Sequence, residues 1–356
     1  MDFGVCVTTK IDDVGYIAFA ESLGFTHAWV ADTQMIWSDC YAVLALAAQQ
    51  TRHIQLGTGV SVAGTRAAPV IAHSIATINR LAPGRTFLGI GTGNSAMRLM
   101  GHRPLRLGEF RHEVEVIRAL LHGEEIAYRW RGEEHLVQFQ MPERGFIDIE
   151  SRIPIYVSGF GPKTQALAGE LGDGLVLSIP PDASQMDRAL GNVARGAERA
   201  GRPRPGKDYL TCSLTMAAIL RPGEDLHSER IRREVGPFAL SSLHYVYDRV
   251  RQLGGRPPGR LAGVWEKYCA MVEAVPESHR HMRIHAGHCT YVLPEEEELV
   301  TPELIRETCL AGTPDEVAAK IRALEASGLQ QLMLLPAIDT QYSYLQQFAD
   351  EVIPRV

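Results

Sequence analysis

The chain has no surplus of one charge, no long apolar run and no paired cysteines. It balances 36 Lys and Arg against 42 Asp and Glu, a formal net charge of −6. So mild and mixed a balance leaves no basic footprint, and nucleic acid is not an expected partner. No apolar stretch approaches the ~20 residues of a membrane-spanning helix, so no membrane partner is expected either. The opening residues MDFGVCVTTK show no basic-then-apolar leader. Its six cysteines (Cys6, Cys40, Cys212, Cys269, Cys289 and Cys309) make no CxxC pair. In a chain of 356 residues they read as reduced thiols of a cytoplasmic protein, not as a disulfide framework. Internal repeats and low-complexity tracts are missing too. With 45% hydrophobic and 22% charged residues, what remains is an ordinary globular composition.

What is present is one rhythm. Short β-rich runs at 2–8, 26–32, 53–60, 85–91, 153–159, 173–178, 208–220 and 329–336 alternate with helical patterns. The helical stretches fall at 11–24, 40–50, 68–84, 108–122, 162–172, 183–200 and 340–353. Near-continuous apolar strands separated by helices predict a parallel sheet covered on both faces. Eight such units predict a closed (β/α)8 TIM barrel, an α/β fold, as a single domain over 1–356. An open doubly wound sheet is the alternative. It would place a phosphate-binding glycine loop after its first strand, where CVTTKIDD has none.

Two stretches break the rhythm. Residues 124–150 read as a hairpin insertion before the fifth strand. Residues 221–310, between strands seven and eight, read as a helical insertion and lid over the barrel mouth. That insertion holds the histidine-rich HRHMRIHAGHCTYV and the aromatics Tyr245, Tyr247, Trp265 and Tyr268, and its alternative role is dimerisation. The run EEEE at 295–298 reads as a solvated loop or helix start.

A barrel of this kind builds its active site from the loops at the C-terminal strand ends. After strand two stand Asp32 and Thr33; after strand three comes LGTGVSVAGTR, with glycines where something must approach the backbone closely. After strand four, Thr92, Gly93 and Asn94 offer small polar groups. After strand five, VSGFGPKTQ opens a helix: Gly159 and Gly161 bare the backbone, Pro162 suits the first helical position, and Lys163 and Thr164 fall in the first turn. With Ser158 and Phe160 they make a candidate phosphate site; the simpler reading is a tight turn.

The motifs FGVCV, LGFTHAWVADT, IQLGTGVSVAGTRAAPVIAHSIATINRLAPGRTFLGIGTGNSA, IPIYVSGFGPKTQALAGELGDGLVL and AGTPDEVAAKIRALEASGLQQLMLLP, in that order, resemble the luciferase-like superfamily of flavin-dependent oxidoreductases. The branch typified by methylenetetrahydromethanopterin reductase is the most similar. The resemblance implies a homodimer and a cofactor that is reduced FMN or coenzyme F420, the deazaflavin. It implies a cis peptide at Gly59–Val60, with Val60 and Ser61 beneath the cofactor ring. One departure stands out: related enzymes often carry a histidine after the acidic residue of strand two, and this chain has Thr33. Asp32 is the expected acidic site residue, and His285 and His288 are the expected substitutes for the missing imidazole.

The cofactor decides the activity. Reduced FMN, delivered by a separate flavin reductase, would make the chain a monooxygenase of a small organic substrate; F420 would make it a hydride-transfer reductase or dehydrogenase. The missing histidine favours the FMN monooxygenase. A flavin-binding protein without turnover is the third reading. No metal is expected.

Overall fold

The computed structural model describes residues 1–178, 182–257 and 259–356. Eight parallel strands close on themselves: β1 (Asp2–Val7), β2 (His27–Val30), β3 (Gln55–Val62), β4 (Thr86–Gly91), β5 (Ile155–Ser158), β6 (Gly174–Ser178), β7 (Leu210–Thr215) and β8 (Gln331–Leu334). Their order around the barrel is their order in the chain, and β8 pairs with β1 from Asp2↔Gln331 to Val5↔Leu334. Closure excludes the open doubly wound sheet. Around the barrel run α1 (Gly15–Ser22), α2 (Cys40–Gln50), α3 (Ala68–Leu81), a short α4 (Asn94–Arg98), α5 (Leu107–Leu121), α6 (Pro162–Leu171) and α7 (Ala183–Arg199).

Local chemistry explains several of these boundaries. Asp39 caps α2 by accepting from the N–H groups of Tyr41 and Ala42, each at 3.0 Å. Helices α6 and α7 cross backbone to backbone through two glycines. A Cβ on Gly169 would lie 1.9 Å from the Val193 carbonyl oxygen, and one on Gly196 1.9 Å from that of Ala166. Inside the barrel, the Trp29 ring packs at a tilt of 58° with its centroid 4.4 Å from that of Phe87, and it donates its indole N–H to Gln331 Oε1 at 2.8 Å. The glycines of β3 answer to this aromatic core. A Cβ on Gly57 would meet the Phe87 ring at 2.4 Å, and one on Gly59 would meet Trp29 Cβ at 2.6 Å.

The apolar run 208–220 does not form one strand. β7 ends at Thr215, level with the last paired residues of its neighbours, and Ala217–Ile219 leaves the barrel to pair in parallel with Leu310–Gly312. Barrel staves are only as long as their partners, so a longer apolar run needs a second partner. Residues Ile126–Trp130 and Glu133–Val137 pair as an antiparallel hairpin off the barrel. Between β7 and β8 lie α8 (Glu229–Leu253), α9 (Ala262–Glu273), α10 (Glu277–Ile284) and α11 (Pro302–Thr308); α12 (Pro314–Ala326) and α13 (Gln341–Glu351) flank β8. The acidic run is not wholly solvated: Glu296 is 1% exposed and pairs with Arg283 at 3.0 Å. Among the described residues, no helix is long and apolar enough to cross a membrane.

Candidate active site

The C-terminal strand ends surround a cavity of about 600 Å³. Gly59 and Val60 line it, and the peptide bond joining them is cis. At this point the pairing of β3 with β4 shifts register, between Thr58 and Ser61, so the chain bulges toward the mouth. From the β4 end come Thr92, Gly93 and Asn94. Gly93 has φ +85°, a left-handed conformation, and a Cβ there would lie 2.3 Å from Val62 Cγ1. From the β5 end come Ser158, Gly159, Phe160, Gly161, Pro162 and Thr164. Gly161 is the N-cap of α6, Pro162 its first residue, and a Cβ on Gly161 would meet nothing within 4 Å.

Three expected site residues are not on the cavity wall. Ser61 is fully buried. Strand alternation turns its side chain away from the mouth, where it donates to Asp32 Oδ2 at 3.1 Å and lies 3.1 Å from Tyr41 Oη. Asp32 can only accept, so the Tyr41 hydroxyl donates to Ser61. Lys163 is exposed, because the first turn of α6 points it outward beside the cavity. His285 is 2% exposed and lies behind His288, which does reach the cavity.

Asp32 lines the cavity from the end of β2. It is 4% exposed, and Arg66 Nη2 stands 3.5 Å from its Oδ1 and 2.5 Å from Asp39 Oδ2. The Arg66 guanidinium also sits 5.3 Å from the Tyr41 ring centroid. A carboxylate matched by a guanidinium and a hydroxyl donor is an acceptor, and here it braces the bulge from behind. The sequence reading missed Arg66 and Tyr41. A signal was available, since Arg66 is the only Lys, Arg, Asp or Glu between Arg52 and Arg80.

The insertion between β7 and β8 contributes the remaining wall. Tyr245, Arg249 and Gln252 lie along one face of α8 and line the cavity, as do His288 and Cys289. Tyr245 meets Phe160 edge-on at 5.7 Å. Arg98 ties α4 to α8: it donates to Asn94 Oδ1 at 2.9 Å and Gln252 Oε1 at 2.6 Å, and its Nε is 3.3 Å from Asp248 Oδ2. Trp37 donates to Thr290 Oγ1 at 3.3 Å, a second tie. Tyr247 and Tyr268 are buried within the insertion itself, with Trp265 packed on Tyr247.

Burial, with a smaller contribution from His285, pushes the His288 imidazole down to about 3, so it is neutral. Burial pushes the Cys289 thiol up to about 12 and that of Cys6, also on the wall, higher still. Neither is a thiolate, so neither is a nucleophile at neutral pH.

The sequence model of the luciferase-like monooxygenase family matches residues 1–331. The chain belongs to the luciferase-like monooxygenase family. Among its relatives, the 5,10-methylenetetrahydromethanopterin reductase of Archaeoglobus fulgidus is 29% identical, with 96% of this chain and 94% of the relative covered. The F420-dependent glucose-6-phosphate dehydrogenase of Beutenbergia cavernae is 25% identical, with 97% and 93% covered. Among solved structures, the coenzyme F420-dependent tetrahydromethanopterin reductase of Methanopyrus kandleri superposes with a TM-score of 0.69 at 22% identity, over 99% of this chain and 98% of that one. The chain is therefore an oxidoreductase of the luciferase-like kind on a closed barrel.

Proposed function

We propose that the protein is a coenzyme F420-dependent oxidoreductase that passes a hydride between the deazaflavin and a small organic substrate. One observation carries the placement of the reaction: the cavity opens directly onto the Gly59–Val60 bulge and has the first turn of α6 on its rim. The residues present fit such a cofactor. A flat ring can rest on a bulge that carries only Gly59 and Val60, and an anionic tail can meet α6, whose first N–H groups have no intrahelical acceptor. Two relatives matched over nearly their whole length, the glucose-6-phosphate dehydrogenases of Beutenbergia cavernae and Amycolatopsis mediterranei, are named as F420-dependent and support the choice of deazaflavin over FMN.

When bound, the reduced deazaflavin supplies a hydride from its ring carbon. The chain's own residues do the rest. Asp32, Ser61 and Arg66 hold the bulge in place. Thr92, Gly93 and Asn94 offer small polar groups beside it. The face of α8 covers the mouth and keeps water from the hydride donor. Arg249 has no ion-pair partner among the described residues, so it suits an anionic group of the substrate or cofactor tail. The homodimer belongs to this proposal; a separate flavin reductase belongs to the FMN alternative.

That alternative has one observation in its favour. Thr33 lies 3.4 Å from Ser95 Oγ and brings no imidazole to the end of β2, which suits a reduced-FMN monooxygenase. Anaerobic titration with F420 and with FMN, read by ligand fluorescence, separates the two. F420 should bind at least about tenfold more tightly. Tighter FMN binding, with substrate-dependent oxygen uptake when a flavin reductase is added, would overturn the proposal.

A further inference from the structure

Behind His288 the insertion encloses a group of imidazoles that the proposed hydride transfer does not use. His244 and Asp248 lie one turn apart on α8, and His285 and His288 bracket the turn that follows α10. One ring nitrogen from each of His244, His285 and His288 lies within 4.8 Å of the other two. We propose that these three histidines bind a zinc-class divalent transition-metal ion, with Asp248 as the carboxylate behind His285.

The distances support coordination. Nδ1 of His244 and Nδ1 of His288 are 3.3 Å apart. Two nitrogens at about 2.0–2.1 Å from a tetrahedral zinc are about 3.3–3.4 Å apart. The third imidazole has to close by up to about 1.5 Å from its 4.8 Å limit. His285 Nε2 stands 3.4 Å from Asp248 Oδ2, the arrangement in which a carboxylate orients a ligating imidazole.

Hydrogen bonding leaves the cluster unsatisfied without an ion. His244 and His285 are each 2% exposed. Both nitrogens of His285 are enclosed without a hydrogen-bond partner, and the only neighbour either has at ion-pair distance is Asp248 Oδ2 at 3.4 Å from Nε2. Buried polar groups are almost always paired, so a buried imidazole with neither nitrogen bonded calls for a partner, and an ion would supply one. Two cations stand nearby, and each has a carboxylate partner that offsets it. Arg98 faces Asp248, and Arg283 is paired with Glu295 and Glu296. A set of imidazoles with one carboxylate and no thiolate suits Zn²⁺ or Co²⁺ rather than Mg²⁺ or Ca²⁺. Because His288 also lines the cavity, an ion can enter from there, and it would fasten α8 to the 285–288 turn.

The test uses the full chain, treated with chelator and free of F420 and FMN, so its outcome is independent of the cofactor reading. Titration with Co²⁺ should give one ion per chain with the visible bands of a low-coordinate nitrogen site, displaced by Zn²⁺. His285→Ala and His288→Ala should each weaken uptake at least about tenfold, and Asp248→Asn by about tenfold. The exposed-histidine double variant His227→Ala/His279→Ala should bind as the parent does. Melting curves identify any variant that fails to fold, and His285→Gln then replaces it. The proposal is overturned if the parent protein gives no such bands, if uptake survives the loss of His285 and His288, or if it disappears in the exposed double variant.

Discussion

Replacing Asp32 by Asn tests whether the bulge depends on the carboxylate behind it. Asp32 makes two interactions: the Ser61 hydroxyl donates to it at 3.1 Å, and Arg66 faces it at 3.5 Å. The Asn side-chain oxygen can still accept from Ser61. That bond then changes from charged to neutral, a loss of about 1 kcal/mol. Removing one partner of a buried ion pair costs about 3–5 kcal/mol when the other is stranded. Arg66 is not stranded, because its side chain is 24% exposed and it keeps Asp39 at 2.5 Å. The expected loss is therefore about 1–3 kcal/mol in all. At roughly 1.3 °C per kcal/mol for a chain of 356 residues, the melting temperature should fall by about 1.3–4 °C. Thermal unfolding followed by circular dichroism measures this. The carboxylate also lines the cavity, so F420 affinity should fall by about tenfold, or 1.4 kcal/mol, in a fluorescence titration. A variant that melts within 1 °C of the parent and binds F420 equally well would refute the bracing role.

Lys163→Glu should weaken F420 binding by less than about fivefold, and the effect should vanish in high salt, because an exposed charge beside the site contributes under about 1 kcal/mol; a hundredfold loss would make Lys163 a direct phosphate ligand. Gly89→Ala places a Cβ 2.2 Å from the Thr58 carbonyl oxygen, so at least about 1–3 kcal/mol of stability should be lost by overpacking. An unchanged melting temperature would show that β3 and β4 can separate freely. Burial raises the Glu113 carboxyl to about 7, although it accepts from the N–H of Ala68 at 3.2 Å. Its folded-state pKa lies above its unfolded value, so its contribution is complete below about pH 4.5 and is lost as pH rises through about 7. Melting temperatures measured from pH 4.5 to 8 should fall less steeply in Glu113→Gln than in the parent; parallel curves would contradict the shift.

The sequence by itself determined the barrel and the strand ends that meet at its mouth. Strand and helix periodicities are local, and eight alternations leave few ways to bury every apolar strand on both faces. The glycine-rich β3 end, the turn after β4 and the Gly-Pro start of α6 were legible for the same reason, since each is a short-range constraint on the backbone. Only the tertiary structure decided which side chains face the cavity. Val60 and Ser61 are neighbours on a strand and therefore point opposite ways. Lys163 and Thr164 diverge at the first turn of a helix. The run 208–220 was legible as strand, but its division at Met216 depends on the lengths of strands it meets in space. The ties that hold the insertion over the mouth join Arg98 to Gln252 and Trp37 to Thr290, residues 154 and 253 positions apart. No local pattern encodes such a pair, because each member has an unremarkable environment in the sequence and acquires its partner only when the barrel closes.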